Sequence, residues 1–416
     1  MAAPMKMAAA TPSSWEELPE DLLGLVLLRL PSLADRVRLR AVCRPWRAGA
    51  RAQRHKPLPP PLPWLALRDG SLVVLDGAPV RCAPILRHGF DFVYLAFDNL
   101  AFVVHADGAC SLKNPLSGLT LPLPKLAPAV RRALDESVCY NQSYIRKTHV
   151  KAVLSSPLNL TPDPLVAVLV LEGNSVAVSA CKQHDAVTIS LTKATDIAFL
   201  HGKLYALTDH EGLSVIELEA SLSELESTKG LAFRQCIADD PEQQKIYTPC
   251  QWWQQQLYFD RTGTESCYLV MRYLTESSGR LLMVRRWMSF PQNARLGDHD
   301  KTFRFDVFEA DLTTIPGEWT KVESLGDQAL FIGSECSKSV LAGQCTGGVQ
   351  EDCIYFMHRV FDNPSKEFFG PCVNPLGDSG VYNMRDRKIS PLLPEAVMGE
   401  LQRKRQFLTW FFPADA

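Results

Sequence analysis

Apolar residues recur at helical spacing near the amino end. Leu18, Leu22, Val26 and Leu30 fall every four residues, and Leu23 and Leu27 widen the stripe. This pattern predicts a helix with a broad apolar face. Pro19 suits the first turn, and Glu20 and Asp21 complement the positive helix end. Pro31 stops the helix and Ser32 restarts one, with Ser32 and Asp35 at capping-box spacing. Leu33, Val37, Leu39 and Val42 continue the pattern, and Cys43-Arg44-Pro45-Trp46-Arg47 opens a third short helix. A module of this size has little interior of its own. So wide an apolar surface calls for a partner, either the rest of the chain or another protein. Arg36, Arg38, Arg40, Arg44, Arg47, Arg51, Arg54 and Lys56 form a basic run, expected as a solvated face.

Pro57-Leu58-Pro59-Pro60-Pro61-Leu62-Pro63 cannot be helical and reads as a stiff extended spacer. Beyond Trp64 the texture changes to short apolar bursts separated by turn residues. Trp64 to Leu67 and Leu72 to Leu75 flank Asp69-Gly70, and Ala101 to Val104 precedes Asp107-Gly108. Ile197 to Leu200 meets Leu204 to Leu207 across His201-Gly202, and Tyr268 to Met271 meets Leu281 to Val284 across Ser278-Gly279. Such units are hairpins. Phe303 to Phe308 alternates as a half-buried strand should. The later strands run from Ala329 to Ile332, Cys353 to Phe356 and Val381 to Met384. About 350 residues of repeated short strands exceed one sandwich, and four-stranded blades of about 40–50 residues give six to eight of them. A closed ring also hides strand edges. The expected fold is therefore mainly β, a β-propeller preceded by a small three-helix module. Its expected divisions are a disordered leader at 1–13, the helical module at 14–56, the proline-rich linker at 57–63 and the propeller at 64–416.

Leu18-Pro19, Leu22-Leu23, Leu30-Pro31-Ser32 and Arg40-Ala41-Val42-Cys43-Arg44 with Trp46-Arg47 closely resemble the F-box. The resemblance implies docking on a Skp-type adaptor and, through it, a cullin ubiquitin ligase. It points to Leu18, Pro19, Leu22, Leu23, Val26, Leu30, Leu39, Val42 and Trp46 as adaptor-binding or supporting positions. The runs Ile197 to Ala206 and Ser324 to Gly333 are similar to the plant F-box family with a KIB-type β-propeller. So are Cys353 to Phe356, Gly380 to Pro391 and Trp410 to Pro413. In that family the propeller recruits the target, so the resemblance implies a non-catalytic substrate receptor. The adjacent Trp252 and Trp253 face opposite ways on a strand, which leaves one free to anchor a target. Two other readings stay open: a cullin-independent protein-binding propeller, and a propeller enzyme with its site at the channel mouth.

Composition narrows the field. A net charge of −2 argues against a general nucleic-acid binder. No apolar run is long enough to cross a bilayer, and the start of the chain lacks the apolar core of a signal peptide. Twelve cysteines without a Cys-x-x-Cys pair suggest reduced, mostly buried thiols and a cytoplasmic or nuclear setting. Nucleophile-elbow, phosphate-loop, dinucleotide and zinc-protease motifs are absent from the sequence. Cys181 and His184 have ligand spacing, but a structural zinc needs four ligands. Asp298-His299-Asp300 reads as a solvated turn, and Arg403-Lys404-Arg405 is a minimal basic patch. His201 and His210 flank one hairpin and could approach each other. No cofactor is expected.

Overall fold

The computed structural model describes residues 15, 18–30, 32–53, 58, 60–67, 72–75, 79–80, 92–95, 99–105, 107–138, 150–158, 161, 163–170, 175–180, 187–191, 194–216, 233–242, 267–290, 301–333, 335–345, 348–357, 378–403 and 408–413. Three helices come first: α1 (Glu20–Arg29), α2 (Leu33–Val42) and α3 (Arg44–Ala52). Pro19 lies just outside α1, with a ψ of 140° that the helix cannot use. Ser32 begins α2 without a side-chain cap, so the expected capping box does not form. Asp35 instead pairs with Arg38 at 2.6 Å.

The strands then form six sheets among the described residues. The first holds β1 (Trp64–Leu67), β2 (Leu72–Val74) and β3 (Pro79–Val80). The second is β4 (Phe92–Leu95), β5 (Ala101–Val104), β6 (Cys110–Lys113) and β7 (Thr120–Pro122). A helix, α4 (Ala127–Val138), intervenes. The third sheet is β8 (Val150–Leu154), β9 (Leu165–Val170), β10 (Ser175–Ala180) and β11 (Val187–Ser190). The fourth is β12 (Ala194–Leu200), β13 (Lys203–Thr208), β14 (Leu213–Ile216) and β15 (Phe233–Ile237). The fifth is β16 (Cys267–Ser277), β17 (Arg280–Phe290), β18 (Lys301–Asp311) and β19 (Glu318–Val322). The sixth contains β20 (Gln328–Ile332), β21 (Lys338–Leu341), β22 (Cys353–Phe356), β23 (Gly380–Asn383) and β24 (Ile389–Ser390). After α5 (Glu395–Arg403), the strand β25 (Leu408–Phe411) returns to pair with β1, Trp64 opposite Phe411.

The strands β25, β4, β8, β12, β16 and β21 each begin a sheet, and successive ones lie side by side. The sixth sheet meets β25 where the Trp410 indole N–H donates to the Ile332 carbonyl at 3.0 Å. The six sheets thus form the blades of a propeller, and β25 sews the last to the first. Two hairpins show why the short turns work: His201 and Gly202 have φ 48° and 74°, and Ser278 and Gly279 have φ 51° and 77°. Consecutive left-handed residues match the twist of the flanking strands.

Buried polar groups tie blade to blade. Lys151 of β8 pairs with Asp196 of β12, which also accepts the Leu274 N–H of β16 at 2.7 Å. Glu211, after β13, accepts from Arg272 at 2.7 Å and from Arg285 at 2.6 Å. Arg286 donates to the Met357 carbonyl at 2.9 Å and to Asp378 at 2.7 Å, crossing from the fifth blade to the sixth.

Three features depart from the sequence pattern. In β18, Thr302 faces Met288 and Arg304 faces Trp287, so Phe303 falls in the register shift between them and is exposed. This bulge breaks the expected alternation. In the sixth sheet β20 and β22 run parallel, so that blade is not a copy of the others. Within the basic run, Arg36 is fully buried, while Arg38, Arg44, Arg47 and Arg51 are solvated as expected.

Trp410 is fully buried and packs edge-on against Phe331, with ring centroids 4.8 Å apart. Trp410→Ala removes this plug and the bond to Ile332. It is expected to cost about 3–5 kcal/mol, read as a lower denaturant midpoint in equilibrium unfolding.

Candidate functional site

The helical module holds its own small core of Leu23, Leu27, Leu39 and Ala50, with Leu18, Leu30, Trp46 and Leu58 packed around it. The helices approach closely because Gly49 of α3 faces α1, where a Cβ would stand 2.9 Å from the Leu23 side chain. Gln53 donates to the Glu20 carbonyl at 3.3 Å, and the Trp46 indole N–H donates to the Trp15 carbonyl at 2.7 Å. Arg36 donates to the Leu30 carbonyl at 2.9 Å, satisfying the free end of α1.

The stripe read from the sequence divides between two faces. Leu23 at 1% exposure and Leu39 at 6% are core. Leu18, Leu30 and Trp46 are half-buried at its margin, and Pro19 is exposed. Leu22 at 48%, Val26 at 38% and Val42 at 62% point into solvent. Val37 of the pattern is exposed as well, and so are Trp15, Leu25 and Leu28, which the spacing rule passed over. Leu25 lies three residues from Leu22 and four from Arg29, so it shares the Leu22 face. That α1 is apolar all round was the available signal. The ring does not cover this face.

The ring offers less. Trp252, Trp253, Cys181, His184 and Asp298 to Asp300 lie outside the described residues. His201 and His210 do not converge: they sit beyond opposite ends of β13, a strand about 20 Å long at 3.3 Å per residue. His210 is buried 3.6 Å from Asp209, whereas His201 is exposed in its turn. A shallow pocket between the fifth and sixth blades is lined by Arg304, Asp306, Lys321, Glu323 and Arg387 together with Phe305 and Tyr382. Those charges answer one another, Arg304 with Asp306 at 2.7 Å and Lys321 with Glu323 at 2.9 Å. No group of three or more His, Cys, Asp or Glu among the described residues is placed to hold a metal ion.

The KIB1-4 beta-propeller family matches residues 90–383. The chain belongs to that family. The F-box-like family matches residues 15–53, the segment that carries the exposed face. Among similar proteins of Arabidopsis thaliana, putative F-box protein At5g55150 is 24% identical over 367 residues, which is 86% of this chain and 89% of that protein. F-box protein At2g26160 is 24% identical over 368 residues, covering 83% and 96%. F-box protein At2g17690 is 50% identical, but over 36 residues, 9% of either chain. YCF48 from Cyanidioschyzon merolae is similar over 56% of this chain and 69% of its own, at 12% identity and a TM-score of 0.26, too distant to bear on function.

Three buried cysteines of this KIB1-4 propeller hold their thiols neutral. Burial, with Asp107 nearby, pushes the Cys110 thiol up to about 12. Burial likewise pushes Cys345 and Cys353 up to about 11. Neutral thiols are poor nucleophiles. Iodoacetamide at pH 8 should therefore leave these three unlabelled in the native protein and label them after denaturation, as peptide mass spectrometry would show. The folded state holds their protons at pH values where the unfolded thiols, with an ordinary value of 9.0, have lost them. Stability should accordingly fall as pH rises from about 9 towards 11.

Proposed function

We propose that this chain is the substrate-recruiting subunit of a Skp–cullin–F-box ubiquitin ligase. The observation that carries the reading is the open face of Leu22, Val26 and Val42, with Leu25 and Val37, on helices whose own core is already filled. Large apolar side chains left in water on so small a module mark a docking surface, and these lie inside the F-box-like segment. Leu23 and Leu39 serve it from beneath, by holding α1 and α2 in place. The propeller supplies the second surface, for the target.

The subunit acts by proximity and performs no bond chemistry itself. It holds a target beside a ubiquitin-charged enzyme and so raises the effective concentration of the reacting groups. Cytoplasm or nucleus is the setting such a ligase requires.

Leu22→Asp with Val26→Asp places two charges on the open face and none in the core. The double variant should lose at least tenfold in affinity for a purified Skp-type adaptor, equivalent to about 1.4 kcal/mol or more, while its ring unfolds at the wild-type midpoint. Undiminished adaptor binding by that variant would overturn the reading.

A further inference from the structure

Leu33 opens α2, yet it does not belong to the helical core. Its side chain is 5% exposed and packs in one cluster with Trp64 and Ala66 of β1, Leu72 and Val74 of β2, Phe411 of β25, and Ala101 and Val103 of the neighbouring β5. The helical module is therefore seated on the blade that closes the ring. A second attachment runs through the chain itself. Leu58 packs against the helical core, and Leu62 is buried in the cluster that joins β1 to the sixth blade. Four residues reach at most about 14 Å, and Pro60 and Pro61 restrict the torsions between Leu58 and Leu62.

A tether at one point leaves a module free to swivel about it. A second contact, off the tether, removes that freedom. Leu33 supplies the second contact at the elbow between α1 and α2. The buried Arg36 braces the elbow, since its guanidinium donates to Leu30 at the end of α1. The helix that carries the open face is thus linked through Leu30, Arg36 and Leu33 to the seam of the ring.

We propose that Leu33 is a positioning residue, which locks the helical module to the closing blade so that the adaptor face and the ring move as one body. The inference rests on the adaptor reading for its functional meaning. A target held by the ring would then be presented at a fixed distance and angle from the ligase bound to the helices. A swivelling module would spread the same target over a larger volume and lower its effective concentration at the transfer site.

Small-angle X-ray scattering of the full chain, free and bound to a purified Skp-type adaptor, tests this with Leu33→Asp, Leu33→Ala and Leu33→Met. Wild type and Leu33→Met should give the same compact distance distribution. Leu33→Asp should show a larger radius of gyration and a longer maximum dimension, and Leu33→Ala a smaller change of the same sign. Adaptor pull-down and the unfolding midpoint of the ring should both persist. Scattering of Leu33→Asp and Leu33→Ala identical to wild type would overturn the inference. Should Leu33→Asp lose the ring's unfolding transition, Leu33→Ala decides by the same comparison. Failure of the wild-type chain to bind the adaptor would overturn the adaptor reading instead, and scattering of the free chain would still judge the seat.

Discussion

The pairing of β25 with β1 is the constraint from which the rest follows. Without it the first and sixth blades would each present an open margin, and an unpaired strand edge is a template for aggregation. The pairing joins Trp64 to Phe411 and Leu67 to Leu408, residues from the first and last strands of the ring. Contacts so distant in sequence are slow to make. Aromatic packing holds the seam once made. Trp64 stacks on Phe411 with ring centroids 5.8 Å apart, and Phe331 stacks on Tyr355 at 4.5 Å beside Trp410.

Between blades the chain uses charge where apolar packing alone would have served stability. Asp196 draws on three blades at once, through Lys151, its own strand and the Leu274 amide. Glu211 sits at φ 66° with its carboxylate between Arg272 and Arg285, and its carbonyl accepts the Trp319 indole N–H at 2.7 Å. Desolvating such groups consumes much of their mutual attraction. What they add is selectivity of arrangement. A blade shifted by one residue would strand a buried carboxylate or guanidinium, an error far more costly than a misfitted valine.

Much of this was legible in the sequence, because hairpins and the F-box-like helices are local devices. The left-handed turns at His201-Gly202 and Ser278-Gly279 announce themselves by residue type. The leucine run announces a helix, but not which of Leu22 and Leu23 faces inward, since both faces are apolar. That choice belongs to Gly49 and Gln53 on the opposing helix. The bulge at Phe303 depends on the register of β17, and the parallel placement of β22 depends on where the preceding loop sends the chain. Helices α4 and α5 were missed amid strand signals. Arg36 looked like one more solvated arginine, and only the end of α1 explains its burial.

The doubly apolar character of α1 has a further consequence for the life of the polypeptide. One side of the helix is satisfied on folding, while the other remains greasy for as long as the molecule is alone. Orphan copies would present Trp15, Leu25 and Val42 to chaperones and degradative surveillance. Abundance would then follow the supply of whatever shields that side, and surplus copies would be culled without any dedicated signal.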